Sequence, residues 1–135
     1  MEPPTLTNPA VTAALCGLEH AAWDALCTSG DSLLPLLLSN PVMIFPGGRT
    51  FTASSTPSVY DALRADEFKP WETYTMSHDE VLRLSTDSAI IYYRVEATRE
   101  EQTFRAVCSS VWVLESEDQG ETGGWKMASH QQTLI

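Results

Sequence analysis

Four long segments rich in β-branched and aromatic residues occupy the second half of the chain, and they limit its possible folds more than any other feature. They run over Trp71–Leu84, Ser88–Ala97, Gln102–Leu114 and Trp125–Thr133. Val, Ile, Thr, Tyr and Trp suit the pleated, half-buried surface of a sheet. Because short polar turns join most of these segments, consecutive strands are expected to pair antiparallel. The pattern predicts a four-strand antiparallel meander.

The first half of the chain carries apolar residues at helical spacing instead. Asn8 is suited to cap a helix whose first residue is Pro9, where the missing N–H of proline costs no hydrogen bond. The spacing predicts a helix that ends near Gly30, since glycine readily adopts the positive φ of a helix terminus. Its apolar stripe consists of Val11, Leu15, Leu18, Ala22 and Leu26.

Shorter elements connect this helix to the meander. A second, short helix is predicted over Ser32–Ser39. The apolar run Val42–Phe45 predicts a strand, which turns at a Pro-Gly-Gly sequence and returns over Arg49–Thr52. Ser54 or Ser55 is expected to cap a third helix, which ends before the next proline.

Helices followed by a meander define an α+β protein, in which N-terminal helices pack on the concave face of a strongly curved antiparallel sheet. The chain has 135 residues, of which 43% are hydrophobic, enough for one core. No repeat or low-complexity linker divides it. We therefore expect a frayed tail over residues 1–7 and a single domain over residues 8–135.

Charge and cysteine usage exclude several classes of protein. Eight Lys and Arg against 18 Asp and Glu give a net charge of −10, which argues against binding to nucleic acid phosphates or to an anionic membrane. The three cysteines lack paired or zinc-ligand spacing, so neither disulfides nor a metal site is expected. No signal peptide pattern and no apolar run of membrane-spanning length is present, which predicts a cytoplasmic location.

Three stretches of sequence carry a resemblance to a known family. They are Glu19–Leu26 in the first helix, Val42–Gly48, and Gly124–Thr133, which ends in the motif W-K-x-x-x-H-Q-Q-T. With the order of elements, they resemble the SnoaL-like group of the nuclear-transport-factor-two-like (NTF2-like) superfamily, which has the cone-shaped cystatin-like fold. The resemblance extends from Asn8 to Thr133.

This resemblance implies a pocket between the concave sheet face and the helices. Related families use that pocket for ketosteroid isomerisation, scytalone dehydration, polyketide cyclisation or epoxide hydrolysis, and others only bind molecules or partners. It also implies a homodimer formed through the outer face of the sheet. Since one fold serves many chemistries, the residues of the site must decide the function.

His130 and Glu19 are the first candidates for acid–base chemistry. Glu19 is the one acid on an apolar stripe of the first helix, so it is either a pocket carboxylate or a helix-edge charge paired with a strand arginine. His130 stands among neutral polar residues late in the last strand. Strict alternation places it on one face with Ala128 and Gln132, opposite Met127, Ser129 and Gln131. That face is either the ligand site, where imidazole exchanges protons near neutral pH, or a dimer contact.

Tyr74 and Arg105 are candidate assisting residues. Arg94 and Arg105 lie on neighbouring predicted strands, so they either hold a carboxylate-bearing ligand together or form ion pairs with Glu96 and Glu72 on the surface. An apolar pocket with few polar groups suits a small hydrophobic organic molecule. Its predicted lining is Trp23, Met43, Phe45, Trp71, Tyr93, Trp112 and Gln132.

Two functions follow from these residues. One is a cofactor-independent isomerase, dehydratase or cyclase that works by proton transfer, with His130 as acid or base. The other is a ligand-binding or dimerisation module without chemistry. No metal-ligand cluster, Gly-rich phosphate loop or G-x-S-x-G motif occurs in the sequence, so no cofactor is expected.

Overall fold

The computed structural model describes residues 9–115 and 124–135 of the chain. Helix α1 spans Pro9–Leu26, a 3₁₀ helix spans Asp31–Leu36 and helix α2 spans Val59–Arg64. The strands are β1 (Leu37–Phe45), β2 (Arg49–Phe51), β3 (Thr73–Ser85), β4 (Ser88–Arg99), β5 (Gln102–Leu114) and β6 (Trp125–Leu134). The predicted α+β class and the four-strand meander are confirmed.

The six strands form one sheet in the order β2-β1-β6-β5-β4-β3. Neighbours pair antiparallel throughout β3 to β6, as predicted, and so do β1 and β2. The pair of β1 and β6 is parallel, so the sheet is mixed rather than purely antiparallel. Parallel pairing needs a long crossover, and α2 with the first three strands of the meander supplies it here.

The helices cover one face of this sheet, and the core lies between them. Along β4 every second side chain is buried on that face, from Ala89 through Tyr93 to Ala97. Helix α1 contributes its own buried face, which consists of Leu15, Glu19, Ala22, Trp23 and Leu26. Strand β3 departs from regular pairing between Ser77 and Glu80, where His78 has a φ of 56°. Such a bulge bends a strand and increases its twist.

Several predicted boundaries differ from the structure. Helix α1 ends at Leu26 rather than near Gly30, and the predicted second helix is a 3₁₀ helix that β1 follows at once. Ser58, not Ser54 or Ser55, caps α2 by accepting a hydrogen bond from the Asp61 N–H. Ser55 instead bonds to the backbone of Thr52 and Pro57, in the turn that precedes α2.

Gly30 instead packs closely against α2, because a Cβ at this position would overlap the Leu63 carbonyl. The predicted tail over residues 1–7, the Asn8 cap and residues 116–123 of the predicted polar loop lie outside the described residues. Among the described residues no helix is long and apolar enough to cross a membrane.

Gly17 and Gly47 offer a matched test of the backbone. At both positions an added Cβ would have no heavy atom within 4 Å, but Gly47 has a φ of +85° whereas Gly17 lies inside α1. We expect Gly17→Ala to raise the free energy of unfolding by about 0.5–1 kcal/mol. Gly47→Ala should lower it by about 1 kcal/mol, because alanine is strained at positive φ. Urea unfolding measures both, and effects of equal sign would contradict the assigned conformations.

Candidate functional site

The carboxylate of Glu19 lies at the centre of a buried polar network. Helix α1 directs this side chain against the sheet, where it is 0% exposed. Its Oε2 accepts hydrogen bonds from the Tyr93 hydroxyl at 2.5 Å and from the Ser110 hydroxyl at 2.6 Å. Its Oε1 accepts from the Trp112 Nε1–H at 2.8 Å. Buried polar groups are expected to be paired in this way, and three donors are enough to hold a carboxylate inside the core.

The strand register explains why these donors converge. Ser110 of β5 lies opposite Ile91 of β4, one inward position along from Tyr93. On its other side Ser110 lies opposite His130 of β6. Since inward and outward side chains alternate along a strand, Ser110 and Trp112, two residues apart, both face α1. Glu19 therefore meets three neighbouring inward positions of the sheet at once.

His130 extends the network from Glu19 toward the end of β6. Its Nδ1 lies 2.7 Å from the Ser110 Oγ and 3.6 Å from the Glu19 Oε2. Its Nε2 lies 3.1 Å from the Gln132 Nε2. Because Ser110 donates to Glu19, it accepts from His130, which assigns the proton of the neutral ring to Nδ1. The Nε2 lone pair then accepts from the Gln132 amide.

Burial and Glu19 act in opposite directions on the charge of His130. The imidazole is 4% exposed, and this desolvation lowers the pKa of His130 below its usual value. The Glu19 carboxylate raises the pKa of His130, but its effect is the smaller of the two. The ring is therefore neutral at pH 7, with a carboxylate placed to stabilise its protonated form.

Tyr93 is also held in one role. The Trp23 Nε1–H donates to its hydroxyl at 2.7 Å, so the hydroxyl proton is left for Glu19. Burial, and then the Glu19 charge, raise the pKa of Tyr93 well above its usual value. The phenol therefore stays protonated and donates to the carboxylate.

A bulge in β6 decides which face His130 occupies. The β5–β6 pairing shifts between Val111 and Trp112, and Ala128 is left without a partner there. As a result Met127, His130 and Gln132 share the buried, helix-facing side. Strict alternation, which separates Met127 from His130, is wrong at this point. His130 lies inside the fold rather than on the outer face of the sheet.

An apolar cavity of about 550 Å³ adjoins the network. Gln132 is the member of the network that lines it. Elements from both halves of the chain form the remaining wall: Leu26, Phe45, Pro46, Arg49, Phe51, Pro57, Val59, Ala62, Leu63, Ala65, Glu67, Phe68, Lys69, Trp71, Arg99, Phe104 and Leu134. The volume falls in the range of sites for small organic molecules.

The structure divides the predicted pocket residues into two groups. Phe45, Trp71 and Gln132 line the cavity. The other four, Trp23, Met43, Tyr93 and Trp112, are at most 1% exposed and belong to the core. Large aromatic side chains bury the most apolar area, so the interior of the cone is filled near α1 and the cavity lies toward α2.

Tyr74 and Arg105 lie apart from Glu19 and His130. The Tyr74 hydroxyl donates to Asp24 Oδ1 at 2.8 Å and lies 3.1 Å from His20 Nδ1, near the surface of α1. Arg105 forms an exposed ion pair with Glu96 at 2.9 Å. This agrees with the second interpretation of the sequence, in which the arginine pairs with a surface carboxylate. The structure thus brings together two of the four catalytic candidates and places the other two elsewhere.

Sequence reasoning does not identify Ser110 as the residue that links Glu19 to His130. Its position next to Ser109, within the apolar run from Val107 to Val113, is the signal that points to it. A hydroxyl at an inward strand position needs a buried partner, and Glu19 and His130 supply it. In the described residues no group of His, Cys, Asp and Glu is arranged to hold a metal ion.

Comparison with known proteins identifies the fold. No family model and no curated protein sequence matches the chain. Solved structures do match: an NTF2-like protein from Cytophaga hutchinsonii has a TM-score of 0.71 and 20% identity over 96% of this chain and 100% of its own. A cystatin-like fold protein from Burkholderia xenovorans has a TM-score of 0.69 and 16% identity, covering 95% and 94%.

A hexachlorocyclohexane dehydrochlorinase from Novosphingobium barchaimii is similar as well. Its TM-score is 0.68 at 14% identity, over 93% of this chain and 86% of that one. At such identities the likeness establishes the fold alone. The chain has the cystatin-like fold that these proteins share, so the fold implied by the resemblance in the sequence is confirmed.

Proposed function

We propose that the chain binds a small organic molecule in the 550 Å³ cavity and that His130 exchanges a proton with it. One observation carries this proposal: Gln132 both lines the cavity and contacts the Nε2 of His130. The polar network therefore begins at the cavity wall and ends at a buried carboxylate. This corresponds to a cofactor-independent isomerase, dehydratase or cyclase.

The states of the side chains suit His130 to act as a base. Its neutral ring keeps a lone pair on Nε2, on the side of Gln132 and the cavity. When the Gln132 amide turns aside, Nε2 takes a proton from the ligand and the ring becomes imidazolium. Glu19, 3.6 Å from Nδ1, stabilises that charge, and Ser110 holds the ring in place. The ring returns the proton to another atom of the ligand, so it acts as base and then as acid.

The structural comparisons support this class of function without specifying it. One similar structure is described as a hexachlorocyclohexane dehydrochlorinase, so at least one protein of this fold is an enzyme that acts on a small organic molecule. The fold itself hosts many activities. The proposal for this chain rests on Glu19, His130 and Gln132.

A second candidate is binding without chemistry. The Gln132 amide donates a hydrogen bond to the Nε2 of His130 at 3.1 Å, so the lone pair of the ring is already in use. Moreover, Gln132 rather than His130 lines the cavity. If the amide stays in place, the network only stabilises the fold and the cavity only holds a ligand.

Homodimerisation is a further part of this proposal. The outer face of the sheet carries exposed apolar side chains from three strands, Val42, Ile44, Leu82 and Tyr92. A sheet face of this kind is suited to burial against a second copy of the chain. A measurement of native mass by light scattering tests it.

Proton exchange tests the catalytic proposal whatever the product of the reaction is. Small hydrophobic compounds that raise the melting temperature are first identified, since a ligand of the folded state stabilises it. Each is then incubated with the protein in D₂O, and deuterium uptake at its acidic C–H is measured by mass spectrometry. We expect the wild type to catalyse uptake and His130→Asn to slow it about 10²–10⁴-fold while binding persists.

His20→Asn is the matched control, because His20 is exposed on α1 and lies outside the network. It should leave both binding and exchange unchanged. Binding without exchange in the wild type would favour the second candidate. If none of the compounds stabilises the protein, ligand binding itself is contradicted.

A further inference from the structure

The charges around the cavity are opposite to those of the chain as a whole. Although the chain has a net charge of −10, three of its eight Lys and Arg residues line this cavity, together with one acid, Glu67. The cations are Arg49, Lys69 and Arg99. An acidic protein that concentrates positive charge at an apolar cavity attracts anions there and repels them elsewhere.

Arg99 is held in place without a direct ion pair to a carboxylate of the described residues. Its guanidinium lies 4.0 Å from the centre of the Trp71 ring, and its Nη1 donates to the Lys69 carbonyl at 2.6 Å. The nearby Glu100 forms its ion pair with Lys69, at 2.9 Å. Among residues 9–115 and 124–135, no carboxylate lies within 4.0 Å of Arg99. Since a guanidinium has five N–H donors, most of those of Arg99 remain for a ligand.

Arg49 repeats this arrangement on another part of the wall. Its guanidinium lies 5.9 Å from the centre of the Phe45 ring, and its Nε donates to the Pro46 carbonyl at 3.3 Å. In the described part of the chain it too has no carboxylate partner within 4.0 Å. Stacking on a ring orients a guanidinium and lowers the entropy lost when it binds an anion.

Two arginines thus stand over aromatic rings that themselves line the cavity. From this geometry we infer that the ligand is an amphipathic organic anion, with an apolar body inside the cavity and a carboxylate or sulfonate bound by Arg99, which lies closer to its aromatic ring than Arg49 does. The inference rests on the proposed ligand binding and specifies its chemical class. Arg94 and Arg105, which the sequence suggests as an anion-binding pair, do not line this cavity.

Two fluorescent probes that differ by one sulfonate test the inference. They are 8-anilinonaphthalene-1-sulfonate, an anion, and N-phenyl-1-naphthylamine, which has the same rings without the charge. We expect the anion to bind the wild type about tenfold more tightly, since charge-assisted hydrogen bonds to arginine add to the same apolar contact. Raising the salt concentration from about 0.05 to about 0.5 M should weaken the binding of the anionic probe and leave that of the neutral probe unchanged.

Single substitutions identify the residue responsible for the preference for the anionic probe. Arg99→Gln should reduce the affinity for the anionic probe about tenfold and change that for the neutral probe less than about twofold. The control is Arg94→Gln, which makes the same charge change on the exposed face of β4 and should alter neither affinity. Ala62→Phe narrows the cavity and should weaken the binding of both probes. Circular dichroism checks that this variant is folded.

The possible failures are distinguishable. Equal affinities for the two probes, both weakened by Ala62→Phe, would overturn the inference and leave ligand binding in place. Tight binding of the anion that Arg99→Gln does not weaken would also overturn it. If neither probe binds, the proposed ligand binding fails as well.

Discussion

Replacing Glu19 by leucine is expected to lower the free energy of unfolding by about 3–5 kcal/mol. The substitution leaves the Tyr93, Ser110 and Trp112 donors buried without an acceptor, and each such group carries a desolvation penalty. Because small domains are stable by only about 5–15 kcal/mol, a change of this size is a large part of the total. Chemical denaturation measures it as a shift of the transition midpoint at unchanged slope.

Two further variants separate the network from ordinary surface charge. Glu19→Gln keeps the shape and one carbonyl acceptor, so its loss should be smaller than that of Glu19→Leu. Glu96→Gln removes the carboxylate of an exposed pair with Arg105 and should change stability by less than about 1 kcal/mol. A Glu19→Leu protein as stable as Glu96→Gln would contradict a supporting role for the buried carboxylate.

The elements that the sequence predicted well are those with a strong local pattern. The strands from Thr73 to Leu114 are rich in β-branched and aromatic residues and are joined by short polar turns, and the structure places them within two residues of the predicted positions. Glu19 stood out because an acid on an apolar stripe is costly unless it is paired. These signals depend only on residue types and their spacing within a short stretch of the chain.

The remaining features depend on contacts between elements that are distant in sequence. The parallel pairing of β1 with β6 and the bulge at Ala128 arise from the register of whole strands. The bulge alone puts Met127 and His130 on the same side. The cavity depends on which aromatic side chains fill the cone, and Trp23 fills it whereas Trp71 does not. Residue types alone do not distinguish these two tryptophans.

The stability of the protein should fall as the pH is lowered from 7 to 5, and His130 should account for part of that fall. Burial lowers the pKa of His130 in the folded protein, whereas the unfolded chain has the usual value of about 6.5. Below pH 6.5 the unfolded state therefore binds more protons, so the free energy of unfolding decreases until the pH reaches the folded pKa. The contribution of one such group is at most about 1.4 kcal/mol per pH unit.

Comparison with two variants isolates this contribution from that of the carboxyl groups. His130→Asn removes the titrating ring, so the stability difference between the wild type and this variant should shrink as the pH falls, by up to about 2 kcal/mol between pH 7 and pH 5. The control is His20→Asn, which removes an exposed imidazole outside the network and so separates the effect of burial from that of losing any histidine. Parallel curves for the wild type and His130→Asn would mean that the pKa of His130 is the same in the folded and the unfolded protein, against the effect of burial. A difference that grows as the pH falls would mean that folding raises this pKa, and the role of His130 as a neutral base would then fail.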